Sequence, residues 1–232
     1  MKVAIMQPYF LPYIGYFQLI FAADAFVIYD NIKYTKKGWI NRNRFLLNAH
    51  DEIFTVPLAS ASDFLEIRDR EVAKSFERSK FLNRFKAAYE RAPNFGIVFP
   101  WLQSLVNVEE TNLFEFIHGS ILRACALLDL DTPIIKSSTL GVDPGLAGKD
   151  RVIATCKAVG ATGYLNPIGG LELYDRNEFR DHGIELEFLK SGPVHYRQFG
   201  NEFVPSLSIV DVLMFNPLPD IRERLLTTYE LI

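Results

Sequence analysis

Val3-Ala4-Ile5-Met6-Gln7-Pro8-Tyr9-Phe10-Leu11-Pro12-Tyr13-Ile14-Gly15-Tyr16-Phe17 decides the fold of this 232-residue chain. Its first four residues are an uninterrupted apolar run, the pattern of a buried strand. Gln7-Pro8 ends that run, because proline lacks a ladder donor and restricts the residue before it. Pro12 is placed to begin a helix, where its missing N–H costs nothing. The helix continues through Leu19 toward Ala23, and a second apolar run, Phe26 to Tyr29, stops at Asp30-Asn31. Strand, helix and strand within about 30 residues make a βαβ unit, which requires parallel strands. The expected fold is therefore α/β: a mainly parallel central sheet with flanking helices, a nucleotide-binding-like βαβ start, and extra helical and small β insertions.

The rest of the chain fills in that scheme. Phe45-Leu46-Leu47 and Ile53 to Leu58 read as strands of a small hairpin. Val72, Phe76, Phe85 and Tyr89 follow a helical period that stops before Pro93. Asn112 with Glu115 makes a capping box ahead of a stripe of Leu113, Phe114, Ile117, Ile121, Cys125 and Leu128. Ile134-Ile135 and Tyr164-Leu165 are short strands. Asp150 is placed to cap a helix that carries Val152, Ile153, Cys156 and Val159 and ends at Gly160. Ile184, Leu186 and Phe188 alternate with Glu185 and Glu187, as in a half-exposed strand. A last helix begins near Asp220. No repeat or linker divides the sequence, so residues 1–232 read as a single α/β domain.

Composition narrows the function. With 49% hydrophobic and 23% charged residues the chain is globular rather than disordered. A net charge of −3 argues against a general nucleic-acid binder. Cys125 and Cys156 are too few for a disulfide framework or a cysteine zinc site and suit a reduced, cytoplasmic protein. The stretch from Tyr13 to Val27 is broken by Gln18 and Asp24, short of the ~20 apolar residues that span a bilayer. The four histidines are scattered without metal-ligand spacing, so no metal is expected.

Three segments carry chemistry. The first is Gln7 to Phe17, which follows a strand and opens a helix, the place where open α/β sheets bind ligands. Gln7, Tyr9 and Tyr16 belong to that loop, and Gly15 lets a phosphate approach the helix N-terminus. A rigid, proline-braced aromatic turn is the alternative. Tyr13-Ile14-Gly15-Tyr16 also has the H-I-G-H spacing of nucleotidylyl transferases, with neutral tyrosines replacing histidines that act there as cations.

The second segment is basic. Lys33, Lys36, Lys37, Arg42 and Arg44 occur with no acid between residues 31 and 50. In an extended segment Arg42 and Arg44 point the same way, and each can grip a phosphate with two bonds. Asn41 and Asn43 share the opposite face and can bind a sugar or an amide. A solvated loop is the alternative.

The third segment spans the last part of the chain. Lys149 and Arg151 flank a helix start, and Tyr164 leads into Asn166-Pro167-Ile168-Gly169-Gly170, which has the flexibility of a ligand loop. His195, beside Tyr196-Arg197-Gln198, is the candidate general base, with Tyr13 and Asp30 as further catalytic candidates. Ser208 is a helix cap first and a ligand contact or nucleophile second.

These segments, in this order, resemble the WbqC-like family. The resemblance rests on Gln7 through Phe17, Asp24, Asp30, Asn41-Arg42-Asn43-Arg44, Gly160 through Tyr164, Tyr174, and Leu207 through Leu213. It spans nearly the whole chain and departs at Asn166 to Gly170, where a Ser-Gly pair is expected directly after the tyrosine. It implies an enzyme of bacterial O-antigen or surface polysaccharide synthesis that transfers glycine or another acyl group to a nucleotide-linked amino sugar. The sugar's pyrophosphate would meet Arg42, Arg44 and the helix start at Gly15. ATP or an acyl carrier would supply the activated acyl group, and a base would deprotonate the amine. Two other classes stay open: a nucleotidylyl transferase-like enzyme, and a non-catalytic ligand-binding subunit of polysaccharide assembly.

Overall fold

β1 (Lys2–Met6) lies inside a six-stranded sheet, with β2 (Ala25–Ile28) on one side and β6 (Gly163–Pro167) on the other. The computed structural model describes residues 1–200 and 202–232. β5 (Ile134–Lys136) extends the sheet beyond β2, and β7 (Glu185–Ser191) and β8 (Tyr229–Leu231) extend it beyond β6, in the order β5-β2-β1-β6-β7-β8. Every pairing is parallel except that of β7 with β8. Val3 stands opposite Ala25 and Tyr164, which confirms the βαβ start.

The chain leaves β1 toward β2 through α1 (Ile14–Ala22), and leaves β6 in the opposite direction through α6 (Arg176–Asp181). Right-handed crossovers in opposite directions place their helices on opposite faces of a sheet. Accordingly Phe17 and Ile20 of α1 pack with Ala4 and Phe26, whereas Phe179 of α6 packs with Val3, Ile5 and Tyr164. α5 (Gly148–Ala158) joins α6 through Val152, Ile153 and Cys156. The point of reversal, between β1 and β6, opens a crevice at the carboxyl ends of those strands.

The α1 face continues into the larger core. α2 (Arg78–Tyr89), α3 (Phe95–Val106), α4 (Leu113–Leu128) and α7 (Ile209–Phe215) surround a hairpin of β3 (Arg42–Leu47) and β4 (His50–Thr55). Phe10, Phe45, Phe54, Phe81 and Phe85 form the centre of this cluster, with Phe45 and Phe85 stacked at 4.8 Å. The short helix α8 (Leu218–Asp220) runs on as a π-helical turn, Ile221–Leu225. No helix among the described residues is long and apolar enough to cross a membrane.

Several local expectations change. β3 begins at Arg42, so the arginine pair lies in a strand rather than a loop, and β4 ends three residues before Leu58. Asn48 and Ala49 carry the hairpin turn with φ of 50° and 68°, as a tight two-residue hairpin requires. Val72 and Phe76 lie outside α2; Val72 bridges Leu58 instead. α3, with Pro100 inside it, had no periodic signal that the sequence reading used. Asn112 caps α4 by accepting from the Glu115 N–H, but Ala147 rather than Asp150 is the N-cap of α5.

Candidate functional site

The loop after β1 is fixed by two distant segments. Leu11 adopts φ of 48°, and its carbonyl accepts from Asn43 Nδ2 and from Ser208 Oγ, each at 2.8 Å. The Phe10 N–H donates to the Ile40 carbonyl, the Ile209 N–H to Pro12, and the Ser208 N–H to Arg44. Three stretches more than 150 residues apart at their extremes thus meet over the carboxyl edge of the sheet.

That edge carries three adjoining cavities. The switch-point cavity, about 460 Å³, is lined by Gln7, Tyr9, Tyr29, Arg151, Tyr164, Asn166 and Gly170 among others. Tyr9 separates it from a cleft of about 280 Å³ formed by Tyr13, Trp39, Asn43, Arg44 and Ser206. Tyr13 in turn separates that cleft from a third cavity of about 290 Å³, which contains His195, Tyr196, Ser191 and Phe203. Cavities of this combined character, aromatic walls with a few polar groups, suit small-molecule ligands. The three linings contain two arginines, one imidazole and no carboxylate among the described residues.

The sequence-singled residues fall into two groups. Gln7, Tyr9, Tyr13, Asn43, Arg44, Tyr164 and His195 line the groove. Burial raises the phenols of Tyr9 and Tyr13 above their ordinary value, so both stay protonated and donate at neutral pH. Arg44 packs against the half-exposed Trp39 ring at 5.9 Å and pairs with Asp51 at 3.1 Å. His195 lies against Phe203 at 4.1 Å between ring centroids.

The others have structural partners. Arg42 donates to the carbonyls of Gly38 and Lys37 at 2.8 and 2.5 Å, so its guanidinium holds the basic loop rather than the cleft. Asn41 is buried, accepting from Tyr34 and donating to the Val56 carbonyl. Tyr16 is buried with its hydroxyl on the Gln7 carbonyl, so the Tyr13–Tyr16 spacing presents one tyrosine to the groove, not two. A Cβ on Gly15 would overlap the Tyr13 ring and come within 2.8 Å of Ser191 Oγ; glycine is needed there for packing, not for phosphate approach. Ser208 is the buried cap of α7.

Asp30 changes role most. Its carboxylate accepts from the Ser137 hydroxyl at 2.8 Å, the Ser138 N–H at 2.9 Å and the Ser138 hydroxyl. Burial opposes its ionisation, but the bonds from Ser138 and Ser137 prevail and hold its pKa below the ordinary value. An ionised carboxylate with these partners fastens β2 to the turn after β5 and is a poor proton acceptor.

The reading of the sequence missed a second buried acid as a site element. Asp211, in the first turn of α7, accepts from Tyr196 at 2.6 Å, Gln198 at 2.8 Å and Tyr89 at 2.8 Å. Tyr89 also accepts from the Leu46 N–H at 2.9 Å. One carboxylate therefore ties the segment bearing His195 to the hairpin bearing Arg44. Tyr29 was missed as a groove residue as well, its position at the end of an apolar run being the available signal, whereas Arg151 and Asn166 of the third segment do line the switch-point cavity.

Comparison with known proteins covers most of the chain. The WbqC-like protein family matches residues 7–223. An uncharacterized protein of Mycobacterium tuberculosis (strain ATCC 25618 / H37Rv), Rv1507c, is 28% identical over 218 residues, 93% of each chain. No solved structure matches.

Proposed function

This chain belongs to the WbqC-like protein family, and from that premise we propose that it is a transferase of surface-polysaccharide synthesis that acylates a nucleotide-linked amino sugar. Glycine is the acyl group that the family resemblance suggests. The observation that carries the reading is the charge of the groove: two arginines, one imidazole and, among the described residues, no carboxylate around three adjoining cavities. Such a lining attracts a polyanion, and His195 is its one imidazole.

The roles follow from position. Arg44 meets a ligand oxyanion, and the exposed part of Trp39 gives the sugar ring an apolar face. His195 takes the proton as the sugar amine attacks the activated acyl carbonyl. Tyr13 stands between the two cavities and, being protonated, donates to the carbonyl oxygen as negative charge develops on it. The network at Asp211 sets the distance between Arg44 and His195. ATP or an acyl carrier supplies the activated acyl group, and as the amide forms the bond from the carbonyl carbon to the activating group breaks, releasing phosphate or AMP in the first case and the carrier thiol in the second.

The test is a mass analysis of products after incubation with a uridine diphosphate amino sugar, glycine and ATP, beside calorimetry of the sugar nucleotide alone. Binding together with an amide-linked product supports the reading. Binding without product supports a ligand-binding subunit instead, and absence of binding by any nucleotide sugar removes the reading.

A further inference from the structure

We propose that the switch-point cavity is an oxyanion subsite for a phosphate of the ligand, and that Asn166 is the residue that sets its specificity. This deepens the function proposed above and rests on it only for the identity of the rest of the ligand.

The argument begins with strand alternation. Tyr164 and Asn166 are two apart on β6 and so project to the same face. The Tyr164 hydroxyl donates to Asn166 Oδ1 at 3.1 Å. That bond engages the amide's acceptor and leaves Nδ2 as the function Asn166 presents. Asn166 is only 7% exposed, yet no described residue accepts from Nδ2. The fold keeps room for it: a Cβ on Gly170 would overlap Nδ2 itself. Nδ2 is therefore an unpaired donor that opens on the cavity, where a ligand acceptor can reach it.

Two further groups converge on the same lining. The Tyr29 hydroxyl is buried without a hydrogen-bond partner, and its neighbour Thr155 donates instead to the Arg151 carbonyl at 2.7 Å. Arg151 uses Nη2 on the Asn31 carbonyl and side chain, at 2.8 and 2.7 Å, which orients the guanidinium and leaves its other nitrogens available. Apart from the Gln7 amide and the phenol oxygens, which offer both senses, the free side-chain groups are the Asn166 Nδ2 and Arg151 donors. Burial holds the Tyr9, Tyr29 and Tyr174 phenols in their protonated, donating form. A group with acceptors only and negative charge satisfies this set, and a phosphate is such a group. Arg151 lies in the first turn of α5, where the helix field has the same preference. The remaining walls, Ile5, Val152, Leu173 and Tyr174, give the body of the ligand an apolar surface.

The experiment is calorimetry of the wild-type chain, Asn166→Asp and Tyr29→Phe, with inorganic pyrophosphate and with a uridine diphosphate amino sugar, beside a thermal melt of each variant. The wild type is expected to bind pyrophosphate. Asn166→Asp, which replaces a donor by a like charge, should weaken it about tenfold or more. Tyr29→Phe should weaken it severalfold without lowering the melting temperature, because the hydroxyl has no partner to lose in the free protein; it decides the matter alone if Asn166→Asp does not fold. No pyrophosphate binding by the wild type, or equal affinity in both variants, overturns the subsite. Pyrophosphate bound through these residues without any nucleotide-sugar binding upholds the subsite and removes the function proposed above. Nucleotide-sugar binding indifferent to both variants does the reverse.

Discussion

Asn43 and Ser208 share one acceptor, the carbonyl of Leu11, at 2.8 Å from each. Both side chains are buried, so each bond is shielded from water and hard to replace. This shared carbonyl is where the loop after β1, the hairpin and α7 are joined, and the groove lies over that joint.

Asn43→Ala and Ser208→Ala should each cost about 1–3 kcal/mol, the range for leaving a buried group without its partner. Each single variant leaves the Leu11 carbonyl one donor and the double variant leaves it none, so the double should be destabilised by clearly more than the sum. Denaturant melts of the four proteins of the cycle measure this. Strict additivity would mean that the carbonyl does not couple the two elements.

Arg42→Ala and Arg44→Ala should part company. Arg44→Ala removes the cleft cation and should weaken binding of a phosphorylated ligand about tenfold, with little effect on stability. Arg42→Ala frees the carbonyls of Gly38 and Lys37 and should lower the melting temperature while changing affinity less. Arg44→Lys should restore only part of the affinity, since lysine lacks the two-pronged contact. Equal affinity losses would return Arg42 to the cleft.

Gly15→Ala reverses a general rule. Within a helix this change ordinarily stabilises by about 1 kcal/mol. Here the new methyl meets the Tyr13 ring and Ser191, so stability should fall, and ligand affinity with it, because Tyr13 divides two cavities. A gain in melting temperature would show that Tyr13 moves aside freely.

Asp30 and Asp211 should give opposite pH dependences. The pKa of Asp30 is lowered by folding, so its contribution is present above the ordinary aspartate value and is lost as the pH falls through the lowered one. Asp211 is raised by burial, against the bonds from Tyr196, Gln198 and Tyr89, with the opposite consequence. Its contribution is full below the ordinary value and is lost as the pH rises through the raised one. Melting temperatures across the acid range should therefore show the gap between wild type and Asp30→Asn shrinking on acidification, and that for Asp211→Asn widening. Slopes of the same sign would contradict this assignment.

The βαβ start was legible because Val3 to Met6 and Phe26 to Tyr29 are continuous apolar runs, which only a sheet buried on both faces explains. The meeting of Gln7–Tyr13 with Asn43–Arg44 was legible too, since both carried the marks of ligand contact. What Arg42 and Arg44 do individually was not, because strand alternation assigns a face but not whether carbonyls of the preceding loop lie within reach. The role of Asp30, a catalytic candidate in the sequence, was not legible either, since the serines that occupy its carboxylate come from more than 100 residues away. Asp211 carries no mark of its own in the sequence, because its donors Tyr89, Tyr196 and Gln198 reach it through tertiary packing alone.

Hydrogen exchange of the backbone, followed by mass spectrometry with and without a saturating uridine diphosphate amino sugar, tests the central claim most directly. Ligand binding in the groove should slow exchange in peptides covering residues 7–13, 39–44, 148–152 and 164–174, which supply walls of the switch-point cavity and the adjoining cleft. The groove at the opposite end of the sheet, lined by Thr162, Arg176, Arg180 and Glu185, should be unaffected. Protection confined to that opposite groove, with residues 7–13 and 164–174 unchanged, would contradict the account.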